Sequence, residues 1–188
     1  MPPLSENIMK KGFTVIEFMI VVALVAIIAV IAIPALLSNR KQANEANAVA
    51  ALKTYATAQA TYKSRNISET SINCNHSAGK PKWYADLYIA LYADTDSTRN
   101  AIRLIAEAFY NADAQGYKTK GAFEGYFFTD DATIPPSGWE TRFGLYADPA
   151  EYGKSGTKSF YIETDGVVKM NDMQGAGAGA NTAAWSAV

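Results

Sequence analysis

A single cysteine, Cys74, and a single histidine, His76, are all the chain offers of the residues most used for cross-linking and for proton transfer near neutral pH. One cysteine excludes an intramolecular disulfide in any compartment, so stability must come from packing. One histidine leaves nucleophilic catalysis a lone base in the polar stretch Asn73-Cys74-Asn75-His76-Ser77. No nucleophile elbow and no glycine-rich phosphate loop accompanies it. That stretch would hold a metal only if further ligands arrived from elsewhere, and a plain surface loop is the simpler reading. A basic excess is missing too: 17 Lys and Arg stand against 18 Asp and Glu, for a formal net charge of -1. No electrostatic footprint for nucleic acid is present. None of this points to an enzyme.

Charge is also absent from residues 18–37, and here the absence is informative. The run is apolar on every face, and a helix without a polar face is suited to lipid. About twenty residues at a rise of ~1.5 Å each cover roughly 30 Å, the hydrocarbon thickness of a bilayer, whereas a signal-peptide core is usually about 7 to 15 residues. No Ala-x-Ala-like site follows the run; Ser38-Asn39-Arg40-Lys41 does, so the block is expected to stay in the protein. Lys10 and Lys11 before it balance Arg40 and Lys41 after it, so charge counting leaves the orientation open.

Two residues break the local rules. Glu17 stands among Val15, Ile16 and Phe18, where an unpaired carboxylate at bilayer depth is costly. It calls for a cation: Lys10 or Lys11, another molecule, or an amine created by cleavage. The other reading places Glu17 at headgroup level, simply ending the span. Pro34 removes a backbone N–H and should kink or loosen the helix, although transmembrane helices tolerate proline.

The stretch Lys10-Lys11-Gly12-Phe13-Thr14-Val15-Ile16-Glu17-Phe18-Met19-Ile20-Val21-Val22 resembles the cleavage and methylation signature of type IV prepilins and type II secretion pseudopilins. A basic leader ends in Gly12, an aromatic residue follows at Phe13, and Glu17 and Pro34 stand downstream. The resemblance implies a prepilin peptidase that cuts between Gly12 and Phe13 on the cytoplasmic side and methylates the Phe13 amine. The head would then face away from the cytoplasm. It further implies that a neighbour's freed Phe13 amine meets Glu17 in an apolar filament core, where such a pair sets register more than stability. Pro34 would loosen the helix during packing. The implied partners are the membrane, the peptidase, homologous subunits and an inner-membrane assembly platform.

Past the apolar block, residues 40–62 lack proline and glycine, and Ala46, Val49, Leu52, Ala56 and Ala60 recur every three or four positions, predicting one helix over about 13–65. A polar loop follows, then a short helix near 83–92 and a second over 98–110. Strands are expected over 122–129, 141–147, 158–162 and 167–170, the last two joined at Asp165-Gly166. The tail from Gly175 alternates Gly and Ala and is expected to be mobile.

The expected fold is α+β and pilin-like: a long N-terminal helix whose first half is transmembrane, with a small antiparallel sheet as head. The expected domains are a leader at 1–12, the helix at 13–65 with its membrane and filament-core part at 13–37, the head at 66–174 and the flexible tail at 175–188. Gly12 and Phe13 are the expected cleavage residues, Phe13 the methylation site, and Glu17 and Pro34 the assembly residues. No cofactor is expected. Asp130, Asp131, Asp148 and Asp165 follow no calcium-ligand spacing, although pseudopilins suggest that ion, and read as solvated loop charges. The expected function is a structural subunit of an extracytoplasmic filament, pilus or pseudopilus. A precursor in the bacterial inner membrane would give rise to a filament in the periplasm or on the surface. The alternative is a membrane-tethered binding or enzymatic head that borrowed such an anchor.

Overall fold

A computed structural model describes residues 12–64, 91, 103–110, 122–131, 133–134, 141–175 and 185–188. The chain divides into two compact units, Met1–Asn39 and Arg40–Val188. The long helix is present as α1, Val15–Ser64, and is assigned as helix without a break through Pro34. The proline at which a kink or loosening is expected therefore does not end the helix. Proline removes one donor and crowds one carbonyl, and the turns on either side stay helical.

In the second unit α1 contributes one face of the core. Ala48, Ala51, Leu52, Tyr55, Ala58, Gln59 and Tyr62 are buried, while Ala46 and Ala60 are exposed and Val49 and Ala56 only half-buried. The stripe is thus rotated from the one that the alanines suggested. The bulky Tyr55 and Tyr62, spaced seven apart, turn their own face inward because large side chains remove more apolar area from water than alanines do.

Four strands, β1 (Tyr126–Asp130), β2 (Gly144–Pro149), β3 (Ser159–Glu163) and β4 (Val168–Asn171), make an antiparallel meander, and β5 (Ser186–Ala187) adds to the β4 edge. The fold is α+β, a long N-terminal helix with a small five-stranded antiparallel sheet, the layout expected. Alternation divides the strands between two faces. Phe128, Leu145, Ala147, Phe160, Ile162 and Val168 join Leu52, Tyr55 and Tyr62 of α1 in the main core. Tyr146 and Tyr161, opposite each other on β2 and β3, face the other side with Trp185. Two aromatic contacts tie the main core together: Tyr55 meets Phe143 edge-on at 5.4 Å and Phe109 meets Phe128 at 4.5 Å.

The last hairpin turns as expected at Asp165-Gly166, with Gly166 at φ 72° and the Asp165 carboxylate accepting from Val167 N at 2.8 Å. A second glycine is required by close approach. Tyr126 Oη donates to the Lys158 carbonyl at 2.8 Å, and a Cβ on Gly156 would collide with that hydroxyl.

Two expectations change. Of the helix expected over 98–110, residues 98–102 lie outside the described residues, and within 103–110 only Glu107–Tyr110 is helical, α2. Arg103 has φ 43°, outside right-handed helix, and Leu104 N donates to the Leu91 carbonyl at 2.6 Å instead of to a preceding turn. The tail expected to be mobile ends in an ordered contact, because Trp185 supplies apolar bulk and Ser186–Ala187 pair with β4; residues 176–184 lie outside the described residues. Most of the loop around Cys74 and His76 and of the helix near 83–92 lies outside the described residues; Leu91 is helical and fully buried.

Candidate functional site

The first unit is notable for what its side chains do not touch. Every large apolar residue from Phe13 to Leu37 is at least half exposed, from 50 % at Val22 to 75 % at Phe13. Leaving such a surface in water is costly, since each fully buried aliphatic side chain is worth about 1.5–3 kcal/mol. Among the described residues α1 is the one helix long and apolar enough to cross a membrane. This segment is compatible with membrane anchoring.

Gly12, Phe13 and Thr14 precede the helix and have no regular structure. A side chain placed on Gly12 would meet nothing within 4 Å. Any intolerance of bulk there must therefore arise in a partner that grips the backbone. Phe13 is exposed and sits one residue before the helix cap.

The cap is made by Thr14 and Glu17. Glu17 Oε2 accepts from Thr14 N at 2.9 Å and from Thr14 Oγ1 at 2.7 Å, while Glu17 N points back to Thr14 Oγ1 at 3.3 Å. Phe18 N closes the first helical bond on the Thr14 carbonyl at 3.3 Å. This is a reciprocal capping box: a threonine before the first turn and a glutamate three residues on satisfy each other's backbone donors. It supplies Glu17 with partners inside its own chain, which reasoning from a missing cation overlooked. The signal was legible as Thr-x-x-Glu immediately before an apolar run. Helix geometry separates Pro34 from this cap by seventeen residues, about 25 Å, so the two do not form one site.

The four aspartates are not alike. Asp130 and Asp131 are buried rather than solvated. On the helix side the Tyr55 hydroxyl accepts from Gln59 Nε2 at 2.9 Å and donates to Asp130. Asp131 accepts from Tyr161 Oη at 2.9 Å, Thr133 N at 2.9 Å and Thr133 Oγ1 at 2.6 Å. Burial, reinforced by the nearby Asp131 carboxylate, pushes the Tyr146 and Tyr161 hydroxyls well above their ordinary range. Burial does the same at Tyr55 and Tyr126. Asp148 accepts from Ser159 Oγ at 2.6 Å, and Asp165 pairs with Lys169 at 3.2 Å, with Glu163 as the second partner of that lysine. Each carboxylate thus serves a contact within the fold, and no cluster of three metal-ligating side chains occurs among the described residues.

A second set of bonds fixes the loop after β2 to α1. Asn44 Nδ2 donates to the Ser155 carbonyl at 2.9 Å, and Glu45 Oε1 accepts from Thr157 N at 3.0 Å and Thr157 Oγ1 at 3.1 Å. No family model, curated protein or solved structure matches the chain.

Proposed function

We propose that this chain is a structural subunit of an extracytoplasmic filament of the type IV pilin or pseudopilin kind, cut between Gly12 and Phe13 and assembled through the apolar half of α1. The observation that carries the reading is the first unit itself: an all-round apolar helix, its large side chains exposed from Val15 to Leu37, that begins two residues after Phe13 with Glu17 in its first turn. The capping box accounts for a carboxylate at this position in the single chain, and the reading adds a second role for it on assembly. The stretch 12–14 supports the reading because a peptidase needs irregular, accessible backbone at its cut, and these residues have it. In the assembled state the Phe13 amine would replace Thr14 as the partner of Glu17, in a neighbouring subunit rather than its own.

The test is the intact mass and N-terminal sequence of the protein isolated from membranes of a host with an active prepilin peptidase. The expected product starts at Phe13, carries one methyl group on its amine and appears in sheared surface or periplasmic filaments. An intact Met1 terminus with no filament would instead leave a tethered head.

A further inference from the structure

The segment 185–188 is held to the sheet by a short backbone ladder, one side-chain hydrogen bond and ring contacts of Trp185. Ala187 stands opposite Lys169 and Ser186 opposite Met170 on β4. Val188 N donates to the Val168 carbonyl at 2.9 Å, and Ser186 Oγ reaches the Met170 carbonyl at 3.3 Å. Trp185 is the anchor: its ring lies 6.1 Å from Tyr146 and 6.0 Å from Tyr161, which stack on each other at 4.5 Å. Ser186, Ala187 and Val188 remain exposed. A two-residue ladder and one indole are a small hold compared with the rest of the sheet.

The receiving surface is complete without this strand. Tyr161 is fixed by Asp131, the two tyrosines support each other, and Lys169 on β4 is held by Glu163 and Asp165. Between Gly175 and Trp185 the sequence has no side chain larger than asparagine or threonine, so Trp185 is the first large apolar group after Met173. Residues 176–184 fully extended would span about 30 Å, roughly the width of a small domain. Nothing in the bonds that seat the strand distinguishes the chain's own Trp185 from that of an adjacent copy; only the tether does.

We propose that the β4 edge and the Tyr146–Tyr161 shelf form a strand-acceptor site that exchanges the segment 185–188 with a second copy of this chain, joining heads by strand addition. The occupant is set by chemistry seen in place: an indole to cover two stacked tyrosines, followed by three extended residues to continue the ladder. This surface lies in the second unit and uses none of residues 13–37, so it goes beyond the filament reading and is tested apart from it.

The experiment uses the full chain in detergent with Cys74→Ser. One preparation carries Lys169→Cys and another, differently tagged, carries Ala187→Cys; the two are mixed and oxidised. A double variant, Lys169→Cys with Ala187→Cys, reports that the strand sits on the edge, and the Met170→Cys and Ser186→Cys pair repeats the design where loss of Lys169 perturbs β4. The expected result is a disulfide between the two tagged chains that rises with concentration and falls about tenfold when Trp185→Ala is added. Closure of the double variant entirely within one chain, with no cross-tag product at any concentration, overturns the proposal. Absence of a disulfide in both arrangements overturns it as well, because the segment then does not occupy the β4 edge.

Discussion

Residues 15–37 and 40–64 belong to one helix that continues through Pro34, yet their side chains meet opposite surroundings. In the first stretch every large apolar residue is exposed, whereas in the second Leu52, Tyr55 and Tyr62 are essentially inaccessible. Composition accounts for the difference. The first stretch is apolar all round and has no polar face to turn to water. The second is amphipathic, with Lys53, Thr54 and Thr57 exposed between its buried positions. Helix formation therefore says little about where a segment resides; the angular distribution of its side chains does.

The largest effect follows from cutting between the two units. A fragment covering Arg40–Val188 should be soluble and unfold cooperatively, since its core of α1 and sheet residues stays whole. Aggregation of that fragment under every condition, measured by sedimentation and circular dichroism, would remove the distinction between the units.

Next in size is Glu17→Gln. Membrane insertion should be unchanged or improved, because a neutral side chain enters lipid more readily. If the proposed pairing with a neighbour's Phe13 amine holds, filament yield should fall by more than roughly a hundredfold, because that amine would lose its counter-ion. Comparing membrane and sheared pools separates these outcomes, and an unchanged filament yield would take Glu17 out of assembly.

Point truncations probe the comparison directly. Leu52→Ala should destabilise the second unit by about 2–5 kcal/mol in denaturant unfolding, the usual cost of a core cavity. Leu24→Ala, on the exposed stretch, should change that same transition by less than ~0.5 kcal/mol. Equal effects at both positions would break the comparison.

Alkaline titration should also act on one unit only. Tyr55, Tyr126, Tyr146 and Tyr161 all resist ionisation in the fold, chiefly through burial. Raised folded values mean that their contribution is fully present below the unfolded value, near pH 10, and is lost as pH climbs through the folded values. Stability of the second unit should thus be insensitive to these groups at neutral pH and decline above about pH 10, followed by tyrosinate absorbance at 295 nm. Early tyrosinate absorbance, with no loss of structure, would show that these hydroxyls are open to solvent.

The most local effect is expected at Thr14→Ala, which removes the helix cap at a cost of about 1 kcal/mol to the first turn. Amide exchange of the first turn should speed up while exchange in β1 to β4 stays the same. Protection unchanged in the first turn would mean that Glu17 holds the cap alone.

What the sequence determined by itself was mostly local. The uninterrupted apolar run, the absence of proline and glycine over 40–62 and the Asp165-Gly166 turn marked α1 and the β3–β4 hairpin, because period, length and turn chemistry are properties of neighbouring residues. The Thr-x-x-Glu cap was equally local and could have been read there. Only the tertiary structure decided which face of α1 is buried, since the alanine pattern allowed more than one and the sheet's demand for the bulk of Tyr55 and Tyr62 chose between them. It also decided that Asp130 and Asp131 lie inside, their charge held by tyrosines brought from α1 and β3, and that Trp185 returns to β2 and β3 across a Gly/Ala stretch. These are contacts between residues far apart in the chain, and no periodicity within a short window contains the partner that makes them favourable.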